Sequence, residues 1–152
     1  MKKVLFLGTL SLLLGACSYG ASTPTSVSPT ATPVVTAATT QAAVPTKKTI
    51  TLVEENKSGQ KGTALLEEVN GKVRVTVTLM GKKYTGVQPT HIHIGVCPGV
   101  GAVKYPLTNV VSGKSVTVLG VTMADLMNQG PLALNVHKSV KGAGVYTACG
   151  SL

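Results

Sequence analysis

The strongest constraint on the fold is a hairpin signal at Asn70-Gly71, which lies between two apolar, alternating segments. Asn-Gly is a preferred pair for a two-residue β-turn, because both residues tolerate the positive φ angles that the turn requires. After the turn, residues 72–80 alternate between apolar and polar side chains, as in a strand with one buried face. The side chains predicted to face inward are Val73, Val75, Val77 and Leu79. Residues 62–80 are therefore predicted to form an antiparallel hairpin.

Short strand-like segments separated by turn signals occupy much of the remaining chain. The predicted strands are residues 49–54, 62–69, 72–80, 90–95, 115–121, 132–137 and 145–148, with a partly extended segment at 105–111. Residues 81–89 and the Gly- and Pro-rich residues 96–102 are predicted loops. Thr122 and Asp125 have the spacing of a capping box, which predicts a short helical turn through Met127.

This spacing of strands predicts the fold class. Strands at intervals of about 8–12 residues are typical of an all-β sandwich or Greek-key barrel, here with one short helical turn. The chain contains no Trp, and its one Phe lies at position 6, so the core of the β domain is predicted to be aliphatic.

The N-terminus has the pattern of a secretory signal peptide. Lys2 and Lys3 form a basic start, and residues 4–14 form an apolar segment too short to span a bilayer stably. The Leu-Gly-Ala-Cys sequence that ends at Cys17 resembles a bacterial lipobox. This resemblance implies cleavage before Cys17 and attachment of lipid, such as palmitate, to its thiol. The prediction is a lipoprotein of the bacterial cell envelope, anchored to the membrane and facing outside the cytoplasm.

The residues that follow Cys17 are mainly Ser, Thr, Pro, Ala and Val, and they carry no charge as far as residue 45. Such a segment cannot bury a core, and proline stiffens it, so it is predicted to be a disordered tether. The chain is thus divided into a signal peptide at 1–16, a lipid-anchored tether at 17–46 and a β domain at 47–152.

The net charge indicates the classes of partner. Without Lys2 and Lys3, 12 basic side chains stand against 5 acidic ones, which gives a formal charge of +7. This charge favours anionic lipid, cell-wall polymer or small anionic substrates. Nucleic acid is not a predicted partner, because the exported chain has no recognisable nucleic-acid-binding motif.

The chain contains three histidines, and all three lie in predicted strands. His91 and His93 alternate with Ile92 and Ile94, so the histidines share one face of the strand and the isoleucines the other. His137 likewise falls on the face opposite the aliphatic residues of its own strand. Three imidazoles on such faces indicate a metal site, and imidazole is a ligand that suits copper.

Two cysteines remain after Cys17, and these are Cys97 and Cys149. Outside the cytoplasm they are free to pair with each other. A bridge between them would close a loop of about 50 residues and add about 4 kcal/mol to the free energy of unfolding in the chain-entropy model.

Three motifs recur together in a known superfamily. They are His91-Ile92-His93 followed by Cys97, then Asn135-Val136-His137, and finally Ala148-Cys149-Gly150. In order and spacing they resemble the copper/zinc superoxide dismutases, and more closely the related chordin-type domains, over most of residues 62–152. The resemblance implies a Greek-key β-barrel of the dismutase type, with a Cys97–Cys149 disulfide that ties a long loop to the last strand. It also implies that His91, His93 and His137 match three of the dismutase copper ligands.

The chain departs from the dismutase pattern in its ligands and in its guiding cation. The dismutases take a fourth copper-ligand histidine and their zinc ligands from the loop after the His-x-His strand, but residues 95–113 contain no histidine. The resemblance therefore implies copper without zinc. Tyr146 stands where the dismutases have the arginine that guides superoxide. Lys104, Lys138 and Lys141 are candidates to replace part of its steering of anions.

The predicted function is copper binding at His91, His93 and His137, with superoxide or copper ions as the small-molecule partners. Superoxide dismutation is compatible with such a site, because it requires of the metal only cycling between Cu(II) and Cu(I). The missing ligands and arginine leave open whether the chain is an enzyme. Two alternatives stand beside this function: a non-enzymatic chordin-type module with a structural or interaction role, and an extracytoplasmic copper buffer.

Overall fold

The structure is a computed structural model, and it describes residues 44–152. The predicted signal peptide, Cys17 and most of the predicted tether lie outside the described residues and stay predictions. No helix of the described part is long and apolar enough to cross a membrane. The elements are β1 Lys47–Glu54, β2 Gln60–Val69, β3 Lys72–Gly81, β4 Val87–Gln88, β5 Thr90–Ile94, β6 Val103–Pro106, β7 Val110–Val111, β8 Lys114–Leu119, α1 Met123–Met127, β9 Leu132–His137 and β10 Tyr146–Ser151.

The predicted hairpin is confirmed in its turn and its register. Asn70 and Gly71 have φ angles of 52° and 69°, which are the positive values that the Asn-Gly pair predicted. Strands β2 and β3 pair without interruption from the turn to their far ends. The side chains of β3 at 73, 75 and 77 are buried, while those at 72 and 74 are exposed. This hairpin provides the longest strand pairing of the structure.

The strands form a single sheet that curls into a half-barrel. Its order is β4-β7-β8-β3-β2-β1-β10-β9-β5-β6, and every pairing is antiparallel. The predicted all-β class is therefore confirmed. The chain crosses three times between the two halves of the sheet, from β4 to β5, from β6 to β7 and from β8 to β9. The halves join where β1 pairs with β10 at Val53 and Cys149.

The core inside the curled sheet is aliphatic, as predicted. Among the described residues, the buried hydrophobic side chains are Ile, Leu, Val, Ala, Met and one half-cystine. Helix α1 adds Met123 and Leu126 to this core. Its N-cap is Thr122, whose side chain accepts a hydrogen bond from the Asp125 backbone N–H, as the capping-box pattern predicted. The short helix thus covers one end of the core.

Several element boundaries differ from the sequence prediction. The predicted loop at 81–89 contains β4, whose two residues pair with β7. Strand β8 ends at Leu119, two residues earlier than predicted, while β10 continues to Ser151. A two-residue strand has no room for an alternating pattern, so its sequence carries no periodic signal.

A buried amide pair links β4 to β2. Gln88 on β4 donates to Gln60 Oε1 at 2.8 Å, and Gln60 on β2 donates in return to Gln88 Oε1 at 3.0 Å. The Gln88 amide also lies 3.1 Å from the His137 carbonyl oxygen, to which it donates. The Thr147 hydroxyl donates to the Val136 carbonyl at 3.2 Å. These buried polar groups are satisfied within the protein, and they fix the backbone at the end of β9.

Gly150 is expected to be intolerant of any side chain, because β10 passes close to β1 at this point. A Cβ atom at this position would lie 2.5 Å from the Thr51 carbonyl oxygen and 2.7 Å from Ile50 Cγ2. We expect Gly150→Ala to lower the free energy of unfolding by about 1–3 kcal/mol in urea titrations. Gly120→Ala, where no atom lies within 4 Å of the added Cβ, is the control and is expected to change it by less than about 0.5 kcal/mol. Equal effects of the two substitutions would contradict this packing argument.

Candidate metal centre

Pairing of β5 with β9 brings the three histidines together. The register places His91 opposite Asn135 and His93 opposite Ala133, and His137 follows at the end of β9. The His91 ring centroid lies 5.6 Å from that of His93 and 5.0 Å from that of His137. One nitrogen from each ring lies within 4.8 Å of the other two. Within the described residues, this is the one group of three potential metal ligands.

The face of β5 and β9 that carries His91, His93 and His137, here called the histidine face, is more buried than the alternating pattern predicts. The histidines lie outside the aliphatic core cluster, as their strand positions predicted. However, His93 and His137 are only 4% and 5% exposed, and His91 is partly buried. Ile94 departs from the predicted inward face and is exposed, because β5 ends there. A second layer of chain therefore covers the outer side of these strands.

The first covering segment is the loop of residues 95–102. Gly95 adopts φ 106°, a backbone conformation that favours glycine, and it lets the chain turn directly after β5. The loop is fixed where the Gly101 backbone N–H donates to the Ile94 carbonyl at 2.7 Å. The second covering segment follows β9, where Ala143 lies against His137. Two loops distant in sequence thus enclose the histidine face.

A disulfide holds the first loop in place. Cys97 and Cys149 are bonded, with their Cα atoms 5.9 Å apart and a sequence separation of 52. The Cys97 backbone N–H also donates to the Ser151 hydroxyl at 3.1 Å. The pairing that the resemblance implied is confirmed, and it ties the covering loop to β10.

Backbone carbonyls set the proton positions of two histidines. The Nδ1 atom of His93 lies 2.9 Å from the Gly101 carbonyl oxygen, and that of His137 contacts the Ala143 carbonyl oxygen. A carbonyl oxygen only accepts, so each Nδ1 carries the proton and each neutral ring has its lone pair on Nε2. Second-shell hydrogen bonds of this kind are usual for metal-ligating histidines. Both rings are therefore prepared to bind an ion through Nε2.

His91 completes the set through Nδ1, whereas His93 and His137 use Nε2. Its Nδ1 lies 3.0 Å from His137 Nε2, so in the metal-free protein Nδ1–H donates to that lone pair. His93 Nε2 is buried and has no hydrogen-bond partner among the described residues. A metal ion would satisfy this orphaned lone pair and would replace the proton between His91 and His137. The donor set fits a metal ion, with His91 Nδ1, His93 Nε2 and His137 Nε2 as ligands.

The surroundings keep two of the imidazoles neutral. Burial lowers the pKa of His91, and the neighbouring His137 and His93 lower it further. Burial also lowers the pKa of His137, with a smaller contribution from His93 in the same direction, while the hydrogen bond to Ala143 raises it. Neutral imidazole is the form that binds metal, so protons compete weakly for this site near neutral pH.

The remaining predicted residues take different positions. Lys104, Lys138 and Lys141 are exposed, and none forms a salt bridge with another described residue. The Tyr146 ring packs edge-on against His137, with 4.8 Å between the ring centroids. The position that the resemblance assigns to a guiding arginine is thus occupied by an aromatic side chain at the site.

Sequence analysis missed several groups that form the site. The Gly101 and Ala143 carbonyls are invisible to it, because every residue has a carbonyl group. Asn135 is fully buried on the strand that carries His137, and the sequence analysis used it only as part of a motif. Its signal was a polar residue two positions before His137, on the same face of the strand.

Comparisons of this chain with protein-family models, with curated proteins and with solved structures found no match. The resemblance to dismutases and chordin-type domains therefore depends on the motif residues alone. The geometry itself establishes a cluster of three histidines that can hold a metal ion.

Removal of the disulfide is expected to destabilise the fold strongly. In the chain-entropy model, a bridge that spans 52 residues contributes about 4 kcal/mol to the free energy of unfolding. We expect a Cys97→Ser/Cys149→Ser double variant to show a loss of that order in urea titrations. Thiol titration of unfolded, unreduced protein supplies the control. Reactive thiols at both Cys97 and Cys149 would contradict the bridge.

The metal-free protein is expected to lose stability on mild acidification. Burial holds the pKa values of His91 and His137 in the folded state below the ordinary histidine value of about 6.5, so the unfolded state binds more protons below that pH. The histidine contribution is thus complete above pH 6.5 and is lost as the pH falls below it. Urea titrations with a chelator at pH values of about 7.5 and 5.5 measure the effect. A His91→Gln/His137→Gln variant should show a flatter pH dependence, and an unchanged slope would contradict the assignment.

Proposed function

We propose that this chain is a copper-binding, superoxide dismutase-like protein of the bacterial cell envelope, anchored to the membrane by lipid on Cys17. The observation that carries the proposal is the convergence of three imidazole nitrogens within 4.8 Å. Two of the rings are oriented by backbone carbonyls, and one buried nitrogen has no other partner. The site is therefore preorganised for an ion before one binds.

The chemistry of the ligands favours copper. The site offers three neutral nitrogens, and no carboxylate or thiolate belongs to the described cluster. Copper heads the affinity order of the divalent first-row metals for such ligands. A three-histidine set with an open position also suits zinc, so zinc is the competitor against which copper has to be tested.

The arrangement of strands supports a dismutase-type Greek key. The crossovers from β4 to β5 and from β8 to β9 bring the histidine strands into one half of the sheet, while the long hairpin lies in the other. The disulfide links the loop after β5 to the last strand, as the resemblance implies. Both features agree with that topology in the described residues.

The proposed activity is superoxide dismutation at a three-histidine copper site without zinc. Bound copper would supply a centre that alternates between two oxidation states, which is the redox change that dismutation requires. Gly101 and Ala143 hold the His93 and His137 rings in a fixed orientation. Since His91 is the most exposed of the three rings, we expect solvent and a small anion to reach the site from its side.

A second candidate function is copper buffering without turnover. The observation that favours it is Tyr146, which packs against His137 where a dismutase would present a guiding arginine. A neutral aromatic side chain does not attract superoxide. The exposed Lys104, Lys138 and Lys141 would then be the remaining cations available for long-range steering.

Copper titration of the purified protein tests the site. We expect one tightly bound Cu(II) per chain, an EPR spectrum with nitrogen coupling, and displacement of zinc by copper. His93→Ala removes a ligand and is expected to weaken binding by at least about tenfold. Lys114→Ala, an exposed change on β8, is the control and should bind as the wild type does. Absence of stoichiometric binding to the wild type would end the copper proposal and leave the non-enzymatic module.

A superoxide assay on the copper-loaded protein then separates the two candidate functions. Dismutation predicts activity above that of the same concentration of free copper. It also predicts that Lys104→Ala/Lys138→Ala/Lys141→Ala lowers the rate and its salt dependence without a change in copper affinity. Activity no greater than that of free copper would leave buffering as the function.

A further inference from the structure

The histidine face contains a second unsatisfied group besides His93. Three buried side-chain atoms lack a hydrogen-bond partner among the described residues, and these are His93 Nε2, Asn135 Nδ2 and Asn135 Oδ1. Asn135 is 0% exposed. A fully buried amide without any partner is unfavourable, and in native proteins such groups commonly serve a ligand, an ion or a water molecule. The Asn135 amide therefore indicates a partner, such as a ligand, an ion or a water molecule, outside the described residues.

Strand register places Asn135 on the same face of the sheet as the three histidines. Asn135 lies directly opposite His91 on β5 and opposite Cys149 on β10. His137 is two residues further along β9 and so shares its face. Neighbouring side chains on one face of paired strands lie about 4.5–8 Å apart, which is within reach of a common ion.

The neighbours on this face do not hydrogen-bond to the Asn135 amide in the metal-free protein. The sulfur of Cys149 is bonded to Cys97 and has no S–H group to donate. His91 Nδ1 is engaged with His137 Nε2, and His93 and His137 direct their Nδ1 atoms to backbone carbonyls. An ion bound among the histidines would supply a partner for the Asn135 amide oxygen that the described residues do not supply.

We propose that Asn135 is the fourth protein contributor to the metal centre, and that its amide oxygen is an oxygen ligand of the bound ion. This inference rests on the proposed function and deepens it. Three imidazole nitrogens with one oxygen form the mixed nitrogen and oxygen set that tetragonal Cu(II) accepts. Because oxygen is a poorer ligand for the softer Cu(I), Asn135 favours the oxidised ion.

The decisive comparison removes the polar atoms of Asn135 while keeping its shape. Asn135→Leu has the same number of side-chain heavy atoms and no hydrogen-bonding group. In the full chain we expect it to weaken Cu(II) binding by about 10- to 100-fold in competition titrations, with a smaller effect on Cu(I). We also expect the Cu(II) EPR spectrum to change. Asn135→Asp, which keeps the oxygen donors, is expected to retain Cu(II) binding.

Stability of the metal-free variants separates a ligand from a structural residue. With a chelator present, Asn135→Leu is expected to unfold at a urea midpoint equal to or above that of the wild type, because it removes an unpartnered buried amide. Thr90→Val is the matched control, since Thr90 is buried on the opposite face of the same strand pair. It should leave the Cu(II) affinity unchanged. If Asn135→Leu is too bulky to fold, the smaller Asn135→Val carries the same test.

The outcomes distinguish this inference from the proposed function. If the wild type binds no copper, the proposed function fails and this inference fails with it. If the wild type binds copper and Asn135→Leu binds Cu(II) equally well with the same EPR spectrum, the inference alone is overturned. It is also overturned if Asn135→Asp loses as much Cu(II) affinity as Asn135→Leu. Weaker Cu(II) binding in a stable Asn135→Leu variant, with binding retained in Asn135→Asp, supports it.

Discussion

The pairing of β5 with β9 is the interaction on which the candidate site depends. It sets His91 opposite Asn135 and His93 opposite Ala133, and it leaves His137 at the end of β9 beside them. A shift of this register by one residue would turn each of these side chains to the other face of the sheet. The backbone ladder therefore decides which ligands meet. The covering loops orient the histidine rings and the disulfide holds one of these loops, but the strand pairing determines which residues lie together.

The parts of the structure that sequence predicts well are those with a local cause. Asn70-Gly71 specifies its turn through the φ angles that the two residues tolerate, and Thr122 with Asp125 specifies the helix start through a side-chain hydrogen bond. The histidine positions follow equally directly from the alternation of a strand. These features depend on residues that lie within a few positions of one another, so a single sequence contains the required information.

The parts that sequence does not predict depend on side-chain pairs across the sheet or on backbone groups of loops, and neither leaves a periodic pattern in the sequence. Gln88 on β4 meets Gln60 on β2, and the histidine tautomers depend on the carbonyls of Gly101 and Ala143. The alternating pattern also describes β9 as a strand with one buried face, whereas all six of its residues are buried. The loop of residues 95–102 and the segment that follows β9 produce this second buried face. The pattern therefore identified the ligands but not how they are enclosed and oriented.

The Gln60–Gln88 amide pair has a consequence for how the chain finds its native state. An incorrectly paired strand would bury two amides without their complementary partners, which penalises such misfolded alternatives far more than an aliphatic core would. We therefore expect the pair to favour the native strand pairing over competing compact conformations more than it adds to overall stability. Because Gln88 also donates to the His137 carbonyl, this selection extends to the metal-ligand strand. We therefore expect a change that disrupts the Gln60–Gln88 pair to disturb the histidine cluster as well.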